Sequence, residues 1–158
     1  MAASRRAGSP RPRHERPARL RRAADRVLAW EGARGARVEV TLLDAAAMRR
    51  LNRRACGRRG LTDVIAFALP QPNGTLLGDV YVCPDAASGW VNGGRRRKET
   101  RGRVEEELLR LAVHGTLHVL GYDHPEGSGR TRSAMWRRQE RYVQRLVGRA
   151  ERVVGGAP

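Results

Sequence analysis

Three histidines carry most of the chemistry this sequence can offer. His114 and His118 are four residues apart in a run that reads as helix, so both imidazoles lie on one face, about one turn apart. Gly121 ends that helix and lets the chain reverse, which returns His124 to close a triangle with the other two. Three of the four histidines of the chain thus fall within 11 residues, at chelating spacing around a turn glycine. Neutral imidazole suits zinc, and three protein ligands leave a fourth position open, which marks a catalytic rather than a structural site. One zinc ion per chain, held by His114, His118 and His124, is the expectation. His14 stands apart in the N-terminal stretch and takes no part.

The elements that must position these residues are legible as periodicities. From Pro17, Leu20, Ala23, Ala24, Val27 and Leu28 follow a helical repeat that the Gly32–Gly35 region stops. Val38, Val40 and Leu42 alternate with polar residues as a half-buried strand, and Asp44 caps a short helix through Met48 and Leu51. Residues 55–60 read as a loop. Two apolar runs, Val64–Leu69 and Leu76–Val82, flank Asn73-Gly74 and predict an antiparallel hairpin. A short helix from Pro84 ends near Gly93-Gly94, and residues 95–103 read as a basic loop. The histidine-bearing helix then starts with Glu105, Glu106 and Glu107 in its first turn, where the helix dipole favours acid. A last amphipathic helix spans about residues 131–149, with Met135, Tyr142, Val143, Leu146 and Val147 on one face. The order α-β-α-β-β-α-α-α predicts one α+β domain, a small mixed sheet packed with helices, with the metal site at the end of a central helix. Residues 17–150 form this domain, between a disordered basic arm (1–16) and a flexible tail (151–158).

Composition narrows the partners. The 158 residues carry 32 basic and 16 acidic side chains, a formal net charge of +16. Such a chain suits a polyanion, and nucleic acid before a membrane surface. Lys98 is the only lysine beside 31 arginines, a bias of G+C-rich coding that does not by itself create the excess charge. No apolar run approaches the roughly 20 residues of a spanning helix, and no apolar stretch follows Arg5-Arg6 to make an export signal. Cys56 and Cys83 form no Cys-x-x-Cys pair, so a reducing cytoplasm is the expected location.

The run His114-Gly115-Thr116-Leu117-His118-Val119-Leu120-Gly121-Tyr122-Asp123-His124 resembles the signature of the YbeY endoribonucleases, the rRNA maturation factors. Leu51-Asn52, Thr62-Asp63-Val64 with Phe67, Leu77-Gly78-Asp79-Val80, and Met135 with Glu140 resemble further family motifs, in the same order, over roughly residues 20–147. The resemblance implies a zinc-dependent endoribonuclease specific for single-stranded RNA. It also implies a role in maturing the 3′ end of small-subunit rRNA and in ribosome quality control, with the small ribosomal subunit and its assembly factors as partners. Where the family carries a phosphate-binding arginine, four residues after Leu-Asn, this chain has Cys56. Arg58 and Arg59, in a glycine-flanked loop, are expected to hold the scissile phosphate in its place. Asp123, beside a ligand, is expected to orient a histidine. Asp63 and Asp79 are expected in backbone capping or ion pairs with arginines rather than as a second metal site.

Two other readings stand beside this one. A non-catalytic ribosome assembly factor would use structural zinc, closed by a fourth ligand such as Cys56 or Cys83. A metzincin-like metallopeptidase shares the histidine spacing, but those enzymes place their glutamate base directly after the first histidine, and here that position is Gly115.

Overall fold

The computed structural model of the chain describes residues 15–91 and 97–154. Most of the expected arm, Arg95 and Arg96 of the basic stretch, and the last four residues lie outside them. The elements are α1 (Arg16–Trp30), β1 (Ala36–Leu42), α2 (Ala45–Cys56), β2 (Val64–Pro70), β3 (Leu76–Val82), α3 (Pro84–Val91), α4 (Arg97–Val119) and α5 (Ala134–Val154). A short 3₁₀ turn, Gly127–Arg132, leads into α5. The expected order and the α+β class both hold. The sheet runs β1-β3-β2, with β1 parallel and β2 antiparallel to β3.

Local sequence explains most boundaries. Pro17 occupies the first turn of α1, where its missing N–H costs nothing, and Gly32 at φ 67° ends the run. The Asp44 carboxylate accepts from the Ala47 N–H at 2.8 Å and caps α2. That helix runs on through Ala55 and Cys56, past the expected loop start, because the first residue able to stop it is Gly57, at φ 64°. The β2–β3 hairpin closes through Asn73, whose side chain accepts from the Thr75 N–H at 3.0 Å, and Gly74 at φ 82°. Ser133 accepts from the Trp136 N–H at 3.1 Å, so α5 begins at Ala134 rather than 131, and it continues to Val154.

The basic stretch is the main departure. Arg97–Arg103 is the start of α4 and not a loop, because nothing in 97–119 breaks a helix. Glu105, Glu106 and Glu107 consequently sit inside the helix. They are held there by ion pairs: Glu105 meets Arg16 at 2.6 Å and Arg19 at 3.5 Å, and Arg110 meets Glu106 and Glu107 at 2.9 and 2.8 Å.

Helix α4 is the centre of the packing. It touches α1, α3, α5 and all three strands. Val38, Val40, Val80 and Val82 on one sheet face meet Leu108, Leu111 and Ala112 of α4 and the apolar face of α1. Met48 of α2, Ile65 and Cys83 form a smaller cluster. Val27, Val113, Leu117, Met135, Tyr142 and Val143 join α1, α4 and α5.

The α4–β3 approach is set by two glycines. A Cβ on Gly115 would lie 2.5 Å from Val80 Cγ1, and one on Gly78 would lie 2.4 Å from Val119 Cγ1. Each glycine accepts the valine of the opposite element. Valine has little freedom at χ1, so the neighbour cannot rotate away. Gly115→Ala gains about 1 kcal/mol of helix propensity but should still destabilise the protein by about 1–3 kcal/mol net through overpacking. Urea unfolding checks this. The double variant Gly115→Ala with Val80→Ala should recover part of the loss, a non-additivity that locates the clash.

Candidate metal centre

The last two turns of α4 carry His114 and His118, and the turn after Gly121 (φ 92°) carries His124. His114 is buried, and the other two are half-buried. Their ring nitrogens converge: His118 Nε2 lies 3.0 Å and His124 Nε2 3.4 Å from His114 Nε2, and the ligand atoms of all three fall within 4.8 Å of one another.

The other ring nitrogens decide the tautomers. His114 Nδ1 donates to the Gln139 side-chain oxygen at 2.7 Å, His118 Nδ1 to the Tyr122 carbonyl at 2.9 Å, and His124 Nδ1 to the Pro125 carbonyl at 3.0 Å. A carbonyl oxygen only accepts, so each Nδ1 must carry the proton. The Gln139 amide is oriented in turn, because its Nε2 donates to Glu140 at 3.0 Å. Three unprotonated Nε2 lone pairs therefore face one point, an arrangement that repels itself unless a cation joins them. A tetrahedral zinc with bonds of about 2.0–2.1 Å separates its nitrogens by about 3.3–3.4 Å, and the two spacings from His114 Nε2, 3.0 and 3.4 Å, lie close to it.

Burial favours the neutral form of His114 and His118. Burial, above all, pushes the pKa of His114 down to about 4; the Gln139 hydrogen bond opposes this, and His118, Arg130 and His124 reinforce it. Burial also lowers His118. Behind Gln139, burial would raise the Glu140 pKa, but hydrogen bonds from Arg110 and Gln139 outweigh it and hold the carboxyl below its ordinary range. Arg110 meets Glu140 at 2.7 Å. A chain His114–Gln139–Glu140–Arg110 thus fixes the buried histidine.

A second brace reaches the site from α1. Glu31 accepts from Tyr122 Oη at 2.7 Å, from Arg138 at 2.9 Å and from Tyr142 Oη. Tyr122 is the residue whose carbonyl holds His118.

The expected site residues fare differently. All three histidines come together. The Asp123 carboxylate makes no hydrogen bond to a ring among the described residues: it accepts from the backbone N–H of His124 at 2.8 Å, and the ring nitrogens are held by Gln139 and the Tyr122 and Pro125 carbonyls. Arg58 comes within 3.8 Å of Glu126, two residues past His124, so its loop meets the histidine turn, but the side chain is 73% exposed. Arg59 is exposed on the same loop, whose course Asn52 holds by donating to the Gly60 carbonyl at 3.2 Å. Cys56 is exposed and Cys83 is buried with Met48 and Ile65, and neither belongs to the histidine cluster. Asp63 and Asp79 form no ion pair among the described residues, in contrast to the expectation. The Asp63 backbone carbonyl accepts from the Cys83 N–H at 2.8 Å, and Asp79 faces Glu39 and Phe67 across the sheet. Sequence reasoning missed Gln139, Arg110 and Glu31. Gln139 had a signal: it is a polar residue four positions after Met135 and four before Val143, inside the apolar stripe of α5.

Fold and site together define an α+β protein built around a cluster of three histidines that could hold a metal ion. A family model described as Endoribonuclease YbeY matches residues 13–147, and the chain belongs to that family of endoribonucleases. It is 37% identical to an Endoribonuclease YbeY of Anaeromyxobacter sp., over 96% of this chain and 78% of the relative. It is also 37% identical to that of Micrococcus luteus, over 72% and 73%. The solution structure of a Thermotoga maritima protein superposes with a TM-score of 0.60 at 26% identity, covering 91% of this chain and 89% of the other.

Glu31 supplies the pH test. Burial would raise its pKa, but the two tyrosines and Arg138 hold it below the ordinary 4.5. Its stabilisation is therefore complete above that value and is lost as pH falls through the lowered one. Glu31→Gln should cost roughly 1–3 kcal/mol at neutral pH. Melting curves taken down a pH series should show the gap between variant and wild type closing below pH 4.5.

Proposed function

We propose that this chain is a zinc-dependent endoribonuclease that cuts single-stranded RNA in the cytoplasm. Its substrate is precursor rRNA at the 3′ end of the small-subunit species, and its wider task is ribosome quality control, with the small subunit and its assembly factors as partners. The observation that carries the catalytic reading is the convergence of three Nε2 lone pairs whose Nδ1 protons are all committed to carbonyl oxygens. His114, His118 and His124 hold one zinc ion. When bound, zinc polarises a phosphoryl oxygen and acidifies water. Gln139 and the Tyr122 and Pro125 carbonyls keep the ligating nitrogens unprotonated. Asp123 fixes the turn that presents His124.

The net charge of +16 supplies attraction for the polyanion. No described helix is long and apolar enough to cross a membrane. The peptidase reading is disfavoured by packing, because a glutamate base after His114 has no room where Gly115 meets Val80. The structural-zinc reading finds no fourth ligand among the described residues, where neither cysteine joins the cluster.

The direct test is cleavage of a single-stranded RNA with and without chelator, alongside metal analysis. Chelation should abolish cleavage and lower Tm. His114→Ala, His118→Ala and His124→Ala should each lose stoichiometric zinc. Undiminished cleavage after chelation, or full zinc in all three variants, would reject the assignment.

Arg58 and Arg59 contact the RNA backbone at the rim. Both are exposed, so solvent screens them, and the contact is weaker than one made inside a closed site. Arg58→Ala with Arg59→Ala should reduce kcat/KM by about tenfold, mostly through KM, with zinc retained. Cys56→Arg in that background should restore part of the loss. Steady-state kinetics at two salt concentrations separates the two effects.

A further inference from the structure

Beside His114 lies a cavity of about 290 Å³ between α4, α5 and the 3₁₀ turn, lined by His114, Gln139, Trp136, Arg130 and the Arg110 ion-pair cluster. Its two arginines differ. Arg110 is engaged at all three of its nitrogens by Glu106, Glu107 and Glu140. Arg130 is not: its Nε is buried with no hydrogen-bond partner, and no carboxylate pairs with it among the described residues. Its guanidinium lies over the Trp136 ring, 5.7 Å from the centroid, which limits its swing.

A buried guanidinium N–H without an acceptor is costly and rare, and in a cavity wall it implies a missing acceptor. The nearby carboxylates are already committed to Arg110, so none of the described residues supplies the acceptor and the position is open to an oxygen of a ligand. A guanidinium offers only donors, in a planar fork that matches two oxygens of a phosphodiester. The residue shares its cavity with the buried histidine of the metal centre. Arg58, by contrast, is largely exposed and already faces Glu126.

We propose that Arg130 binds a substrate phosphate beside the three-histidine centre, providing the close arginine contact that Cys56 cannot make. This rests on the reading of the chain as an RNA-cutting enzyme and adds the residue that grips the phosphate next to the metal ligands. Arg58 and Arg59 then hold backbone farther out, at the rim. The 3₁₀ turn enters through Gly127 at φ 77°, and its other described arginine, Arg132, is exposed.

The test uses the full chain carrying Arg130→Gln or Arg130→Lys, with Arg132→Gln as the background for a lost charge on the same turn. Metal content and thermal melts confirm intact folding. Affinity for a short single-stranded RNA is measured against salt in chelator, so that cutting does not obscure binding. Arg130→Gln should flatten the slope of log K against log salt by about 0.7, one phosphate contact for a single strand. Arg132→Gln should leave the slope unchanged. With zinc restored, Arg130→Gln should cut RNA about 10²–10³ times more slowly, and Arg130→Lys, which keeps the charge but loses the fork, should fall between. A wild-type slope in Arg130→Gln overturns the proposal whatever the cutting rate. If Arg130→Gln fails to fold, Arg130→Lys decides: wild-type cutting overturns the proposal, and a loss of tenfold or more supports it. A wild type that binds RNA but never cuts it defeats the enzymatic reading, and the slope still judges Arg130.

Discussion

Helix α4 rests on strand β3 with no side chain between them at two points, Gly115 against Val80 and Gly78 against Val119. This contact sets the rotation of the helix about its own axis. Successive residues turn by about 100°, so when residue 115 faces the sheet, 119 stays close to it, while 114 and 118 share one flank. That flank looks toward α5 and the turn beyond Gly121, where Gln139 and His124 wait. A bulkier residue at 115 would lift the helix, and both histidines with it. The glycine beside the first ligand therefore has a mechanical reason, and the same reason removes the glutamate base of a peptidase.

Around this contact the protein commits polar groups in pairs. His114 is buried, and burying an imidazole is tolerable only if it stays neutral and its N–H finds an acceptor. Gln139 provides that acceptor, Glu140 orients Gln139, and Arg110 neutralises Glu140. On the other side, Glu31 gathers two tyrosines and Arg138, and so ties α1 to the carbonyl that holds His118. Both networks end on a ligand nitrogen. The His114 tautomer is thus a property of tertiary packing, whereas those of His118 and His124 are set by carbonyls four and one residues further along the chain.

The charge of the chain divides in the same way. Arg16, Arg19, Arg110 and Arg138 are occupied by internal glutamates and serve the fold. Those pairs help to keep residues 97–119 as one long helix despite their charge density. Many arginines remain exposed, among them Arg49, Arg50, Arg53 and Arg54 on α2 and Arg58 and Arg59 beyond it. The arginines of α2 and the loop beyond it, rather than the total of +16, form the basic face open to a polyanion.

The sequence by itself determined whatever depends on neighbours along the chain. The apolar repeat of α1, the alternation in β1, the Asn73-Gly74 hairpin, the Asp44 cap and the three-histidine spacing are all local, and all appear as expected. The element order followed from them. Some boundaries shifted for local reasons, Gly57 ending α2 and Ser133 starting α5, while the partner of the buried His114 is distant. The basic stretch from Arg97 read as a loop because of its charge density, yet no residue in it stops a helix, and Glu105 a turn further on is paired with Arg16, 89 residues away. Asp123 looked like the partner of a histidine because it is adjacent in sequence, yet the ring partners are Gln139 and two carbonyls. Gln139 is 25 residues from His114, on another helix. Which polar residue is buried against a ligand, and which arginine is left without an acceptor, depends on how α4, α5 and the 3₁₀ turn pack. Only the tertiary structure decides that, because burial and hydrogen-bond satisfaction are properties of assembled surfaces, not of the order of residues.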